Sequence, residues 1–294
     1  MGRRLAALPS LITHCSLPLR MRIAVIVTTY NRPDALTAVL AGYQAQRGAG
    51  FELVIADDGS TAATREVVDE FKAHASFPVN HVWHEDQGFR AAAIRNRALA
   101  ATQADYIIFS DGDCVPAPYF VAQHQRLAEA GWFVAANRTL LSAAFTARAL
   151  RERIPIHEWT RANWFAAWLR RDINRWLPLV TLPDGNFRKS APQRWEGVKT
   201  CNLAAWRADL LRVNGLDETY SGWGLEDSDL VIRLIHAGVR HKSARFAAPV
   251  FHLWHAESDR GRLAENQRLL DALLDSKRSV AAVGVDQYVS PAKK

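Results

Sequence analysis

The chain has 294 residues, enough for one large α/β domain with a well-buried core or for two small domains. Hydrophobic residues make up 49% and charged residues 23%, which excludes a disordered chain. The net charge of +7 suits an anionic partner such as nucleotide phosphates, acidic glycans or an anionic membrane face, and no nucleic-acid-binding module is present.

The first 20 residues carry Arg3 and Arg4 before an apolar stretch that Pro9, His14 and Pro18 break. No clear small-residue cleavage site follows, so a signal peptide is not expected. Residues 1–20 are taken as a disordered leader or the product of an upstream start, because Met21 directly precedes the first strand. Cys15, Cys114 and Cys201 lack the paired spacing of a disulfide framework or zinc site, which fits a reducing, cytoplasmic compartment.

Residues 22–27 form a continuous apolar run, the pattern of a strand buried on both faces. Pro33 then opens a helix to about residue 44. A second strand, 51–56, ends in Asp57-Asp58-Gly59-Ser60, and a helix over 62–74 follows. A strand over 79–84, an alanine-rich helix over 90–102 and a buried strand over 105–110 complete the first half. The alternation predicts an α/β fold with a mostly parallel sheet covered by helices on both faces. Polar clusters at the strand ends then gather on one edge, where such sheets bind ligands. Between 142 and 197, Trp159, Trp164, Trp168 and Trp176 alternate with Arg161, Arg170, Arg171 and Arg175. One or two amphipathic helices are expected there, then an irregular loop broken by Pro178, Pro183 and Pro192. A strand near 199–205, a helix near 226–237 closed by Gly238, strands to about Leu253 and a charged helix over 259–276 finish the chain.

Five clusters carry chemistry. Asp111 and Asp113 flank Gly112 at a strand end, so two carboxylates can converge on a divalent cation while the glycine permits the tight backbone. An Asx-type turn is the structural alternative. Thr28, Tyr30 and Arg32 follow one strand and Asp58 the next, where a carboxylate can accept the N3–H of uracil and Tyr30 can stack on a base. Strand-ending turns and helix caps are the alternative. Arg90, with Arg95 and Asn96 on the next helix, faces the same edge and can reach a phosphate or the carboxylates, whereas a solvated helix face would account for Arg95 and Arg97. Gly222-Trp223-Gly224 precedes Glu226, Asp227 and Asp229 at a helix start. One or two acids would satisfy the helix dipole; a third suggests a general base, with Trp223 as a flat face for a sugar. His252 and His255 follow the last apolar strand, where imidazole can complete a metal shell begun by Asp113 and favours manganese over magnesium.

Together these stretches resemble the family-two inverting glycosyltransferases of the GT-A fold, in the subgroup whose C-terminal part is similar to galactosyltransferases and bacterial chondroitin polymerase. The matching residues run in order: 27–33, 56–60, 86–90, Arg95-Asn96, 111–113 and 222–227. The resemblance implies a Rossmann-like domain over 21–280. Residues 21–135 form its nucleotide-binding half, 136–198 a helical insertion and 199–258 the acceptor-binding half, with a tail over 281–294. It implies that Thr28, Tyr30, Arg32, Asp58, Arg90, Asn96, Asp111 and Gly112 bind a UDP-sugar. It further implies that Asp113, His255 and His252 hold manganese or magnesium, that Trp223, Gly224 and Glu226 bind the acceptor, and that Asp227 is the catalytic base.

The acceptor is expected to be a glycan or a lipid-linked hydroxyl, in polysaccharide or lipopolysaccharide synthesis. The Trp/Arg stretch would suit an anionic membrane surface on the cytoplasmic side, or a lid with its tryptophans in the core. A sugar-nucleotide nucleotidyltransferase would want a glycine-rich basic loop where Thr28-Thr29-Tyr30-Asn31-Arg32 stands, and a dinucleotide enzyme would want GxGxxG. A non-catalytic glycan- or membrane-binding protein on a transferase scaffold would be expected to lack Asp113 or Asp227.

Overall fold

The computed structural model describes residues 21–256 and 259–289, so the expected leader lies outside the described residues. The four apolar runs of the first half become β1 (Ile23–Thr29), β2 (Glu52–Asp57), β3 (Val79–Trp83) and β4 (Tyr106–Asp111). Helices α1 (Pro33–Gln44), α2 (Ala62–His74) and α3 (Ala91–Ala101) connect them. Each strand is bounded by a polar turn, and β1 is buried along almost its whole length, as a strand covered on both faces must be. Gly59 ends β2 at φ +94°, and a Cβ there would stand 2.6 Å from the Asp86 backbone, so only glycine lets these two loops touch.

After β4 come β5 (Cys114–Pro116), α4 (Phe120–Leu127), β6 (Trp132–Ala135), β7 (Arg138–Leu140), α5 (Ala143–Arg151) and α6 (Arg161–Leu169). Then follow β8 (Asn202–Trp206), α7 (Arg207–Arg212), α8 (Glu226–His236), β9 (Arg240–Ser243), β10 (Val250–His252) and α9 (Leu263–Leu274). The main sheet has the order β3-β2-β1-β4-β8-β6-β9, with β8 alone antiparallel to its neighbours. One core lies on the α1 and α2 side of this sheet and a second lies under α3 and α8. The register places Asp57, Thr28–Thr29 and Asp111 together at the strand ends.

A second, three-stranded sheet of order β5-β10-β7 sits beside that edge. It pairs His252 with Cys114, and the Leu253 amide donates to the Asp113 carbonyl at 2.8 Å. This small sheet brings the C-terminal histidines to the β4 end, although more than a hundred residues separate them in the chain.

The Trp/Arg-rich insertion divides its tryptophans between core and surface. Ser142 caps α5, and Thr160 with Asn163 forms a capping box on α6. Trp164 stacks on Phe251 of β10 at 4.0 Å and 12°, while Trp168 stays exposed. The irregular stretch beyond is held by Arg188, which is almost fully buried. Its guanidinium donates to the carbonyls of Leu182, Pro183, Ser243, Arg245 and Phe246. Residues 281–289, set apart in the sequence as part of a tail, pack into the fold. Val285 is buried against the α3 side, and its amide donates to the Asn214 carbonyl at 3.1 Å.

Candidate active site

Gly112 closes the β4–β5 turn onto β1. Its amide donates to the Thr28 carbonyl at 2.7 Å, and a Cβ at this position would meet the Thr29 hydroxyl at 2.8 Å. The glycine therefore fixes how Asp111 and Asp113 project, rather than offering a side-chain contact of its own. Asp113 Oδ2 lies 3.2 Å from His255 Nε2 and 3.5 Å from His252 Nε2. The three residues can each bring one ligating atom within 4.8 Å of the others.

The donor set fits a divalent cation. The His255 Nδ1 is 2.7 Å from the Ala256 carbonyl, to which it can only donate, so Nε2 is the ring nitrogen placed toward Asp113. Burial pushes the His252 imidazole down to about 4 against the pull of Asp113, with Arg138, His255 and Arg32 adding to the shift. Arg32, otherwise paired with Asp34 at 3.0 Å, thus lies within electrostatic reach of the cluster. The buried thiols Cys114 and Cys201 sit beside Asp111, but burial raises the Cys114 thiol well above its ordinary range, so it stays protonated.

A buried guanidinium ties this cluster to the N-terminus of α8. Arg95 donates to Thr28 Oγ1 at 2.9 Å, to Asp111 Oδ1 at 3.1 Å and to Glu226 Oε1 at 3.3 Å. Its side chain is buried, which overturns a solvated helix face for this residue. Burial, opposed by Arg95 and reinforced by Asp113 and Asp227, pushes Asp111 up to about 6. Burial, with repulsion from Asp227, pushes Glu226 up to about 7. Asp227 therefore sits within electrostatic reach of Asp111 and Arg95, and its Oδ1 accepts a 2.6 Å hydrogen bond from Thr200.

The loop before α8 is held under strain. Gly222, Gly224 and the non-glycine Leu225 all have positive φ, at +70°, +109° and +76°. Asn266 of α9 donates to the carbonyls of Ser221 and Gly224 and so pins this loop. Trp223 lies beside it, one ring face covered by the Arg260 guanidinium at 5.1 Å.

On the other flank, Tyr30 is 48% exposed and its hydroxyl donates to Asp86 at 3.0 Å, which leaves the ring accessible. Asp58 is buried, with its oxygens accepting from the Arg90 amide at 2.9 Å and facing His84 Nε2 at 2.6 Å. One sequence expectation needs correction here. Asn96 does not reach the cleft: it is fully buried, and its amide group exchanges bonds with Leu216 and Glu218 across α3. The Arg90 guanidinium donates to the Glu85 carbonyl at 2.6 Å and remains within electrostatic reach of the Asp58 carboxylate. It lines a cavity of about 350 Å³ with Phe89, Glu218, Tyr220 and Arg262. Arg138 of β7, which the sequence did not single out, lies within electrostatic reach of both Asp111 and Asp113.

The glycosyl transferase family 2 profile matches residues 24–183, from β1 well into the insertion. This chain belongs to glycosyl transferase family 2. A second profile, the N-terminal domain of galactosyltransferase, matches residues 187–256 and so covers α8 and both histidines of this family 2 chain. Validoxylamine A glucosyltransferase of Streptomyces hygroscopicus subsp. limoneus is 31% identical over 248 residues, 80% of this chain and 51% of that protein. The chondroitin synthase of Escherichia coli is 24% identical over 246 residues, 76% of this chain and 34% of its own length. The chain thus spans about half the length, or less, of these curated relatives. Among solved structures, a Pyrobaculum calidifontis mannosyltransferase with GDP-Man and Mn2+ matches with a TM-score of 0.59 and 19% identity, over 89% of this chain and 66% of that one. S. aureus TarS 1-349 in complex with UDP matches with a TM-score of 0.55 and 16% identity, over 91% and 68%. These likenesses identify the family 2 chain as a GT-A fold.

Proposed function

We propose that this chain transfers a sugar from a UDP-sugar to a hydroxyl of a glycan or lipid-linked acceptor, with inversion and with a divalent cation. The observation that carries this is the meeting of Asp113, His252 and His255, joined through Asp111 and Arg95 to the Asp227 segment. Family membership, a UDP-bound neighbour and a neighbour with Mn2+ support it.

Thr28, Tyr30 and Asp58 line the uridine side, with the accessible Tyr30 ring against the base. Asp113, His255 and His252 would hold the cation, for which one carboxylate and two imidazoles favour manganese over magnesium. When bound, the cation neutralises the diphosphate and so eases its departure. Arg138 and Arg32 add positive charge on the same side. Trp223, Gly224 and Glu226 frame the acceptor. Asp227 accepts the proton of the acceptor hydroxyl while that oxygen attacks the anomeric carbon. The bond from that carbon to the diphosphate oxygen breaks on the opposite face, so the configuration inverts. Arg95 keeps Glu226, and with it the start of α8, fixed to the cation-binding turn.

The test is a screen of UDP-sugars with manganese and with chelator, read as UDP release and acceptor glycosylation. The expected result is metal-dependent release that Asp227→Asn lowers about a hundredfold or more, with UDP and metal still bound. Undiminished turnover in that variant removes Asp227 from the role.

A further inference from the structure

Helix α6 has two unlike faces. Inward, Trp164 and Ala167 are buried, and Trp164 lies flat on Phe251, the residue before His252. Outward, Phe165 is 41% exposed, Trp168 38% and Leu169 63%, and Leu177 just beyond is 54% exposed. Phe165, Trp168 and Trp176 touch one another there, with ring centroids 5.2, 5.7 and 6.5 Å apart. Soluble surfaces normally scatter such side chains singly, so a joined patch marks a contact site.

Charge around the patch narrows the partner. From Arg148 to Arg175 the chain has seven arginines and three acids, a net of +4. Arg161, Arg170 and Arg171 are exposed on and beside α6. Of the acids, Asp172 is engaged by Arg148 and Arg170, and Glu152 by Arg151. Apolar rings inside a fringe of arginine match the boundary between acyl chains and anionic headgroups. A second copy would set arginine against arginine. Residues 1–20, with Arg3, Arg4 and Arg20 and no acid, do not complement the patch either.

We propose that the outer face of α6, with Trp176 and Leu177, docks this chain on an anionic lipid bilayer. The stack of Trp164 on Phe251 then holds the end of β10, and the cation cluster, at a set distance from that surface. Lipid-linked hydroxyls are thereby presented to the cleft. The docking stands on the patch alone, while its use in presenting an acceptor rests on the transferase function proposed above. Among the described residues no helix is long and apolar enough to cross a membrane.

Flotation of the full chain with phosphatidylglycerol and with phosphatidylcholine vesicles tests this. Binding to the anionic vesicles alone is expected, weakened at about 0.5 M salt. Phe165→Ser with Trp168→Ser, and separately Arg161→Glu with Arg171→Glu, should each cut binding about tenfold. Metal-dependent hydrolysis of the donor in solution should stay within about twofold in both variants, because none of the four side chains touches the cleft. Absence of flotation with anionic vesicles overturns the proposal, as does flotation unchanged by both pairs of substitutions. Self-association that the aromatic substitutions abolish, without any flotation, assigns the patch to a second copy instead. Flotation that follows the patch in a protein without donor hydrolysis upholds the docking and counts against the transferase.

Discussion

Three distant motifs converge on the Arg95 side chain, and its removal has a calculable cost. Replacing it by Met leaves the buried Glu226 carboxylate and the half-buried Asp111 carboxylate without this guanidinium. Breaking a buried pair by removing one partner costs about 3–5 kcal/mol, so urea denaturation of Arg95→Met should show a loss of that order. Arg95→Lys should recover only part of it, because an ammonium cannot span three acceptors in one plane. Thr200 acts more locally. Its hydroxyl orients Asp227, so Thr200→Val should lower kcat by about tenfold with the donor KM and the melting temperature nearly unchanged. A parallel rise in KM would make Thr200 a binding residue instead. The sequence displayed Asp111, Asp113, Asp227, His252 and His255, because acids after a strand and histidines after an apolar run stand out in any pattern. It hid Arg138 and Thr200, and it left Arg95 open between the ligand edge and a solvated helix face, because a buried arginine on an alanine-rich helix looks the same as a solvated one until its partners are placed. The amide of Asn96 misled for the converse reason: beside Arg95 in sequence, it faces Leu216 and Glu218 across the helix.

Among the elements, β1 to β4 and their helices were legible because β1, β2 and β4 carry a continuous apolar centre, and polar turns punctuate the alternation of strand and helix. The short strands β5, β6 and β7 were not. Three or four residues give no period, and their pairing with β8, β9 and β10 is set by segments far along the chain. For the same reason β8 starts at Asn202, later than the apolar pattern suggested, and the helix expected over 259–276 is confined to Leu263–Leu274. That helix has a task no periodicity reveals. Asn266 satisfies two carbonyls of the loop that carries Trp223 and leads to Asp227, and the loop's positive φ values make it unstable without such support. Asn266→Leu fits the buried volume but leaves those carbonyls unbonded, at about 1–3 kcal/mol each if they stay dry. The loop should yield before the fold does. Limited proteolysis is expected to cut near 221–225 in the variant, with transfer activity falling at least tenfold and the sheet intact by circular dichroism. Equal activity and equal protease resistance would mean that α9 supports the loop by packing alone.

At the scale of the whole molecule, the cleft concentrates acids that folding holds partly protonated. Glu226 rises from 4.5 to about 7, with burial as the first cause and Asp227 repulsion next. Between these values the folded chain binds more protons than the unfolded chain, so in the absence of metal its stability from this group falls as pH rises. His124 runs the other way. It is fully buried in contact with Asn202, and burial lowers it from 6.5 to about 4, so stability falls as pH drops through that range. The two windows overlap between about pH 4.5 and 6.5, where opposed slopes of up to about 1.4 kcal/mol per pH unit largely cancel, so the two groups must be separated to be seen. Glu226→Gln isolates the neutral limb. The variant keeps the shape and one acceptor for Arg95 but has no proton to lose. Measured in chelator by urea denaturation, its stability relative to the parent chain should improve from pH 5 to about pH 7 and level off above it. A difference that does not change with pH would show that Glu226 is ionised in the folded state at pH 5, with Arg95 outweighing burial, and that the cleft tolerates all its carboxylates charged before any cation arrives.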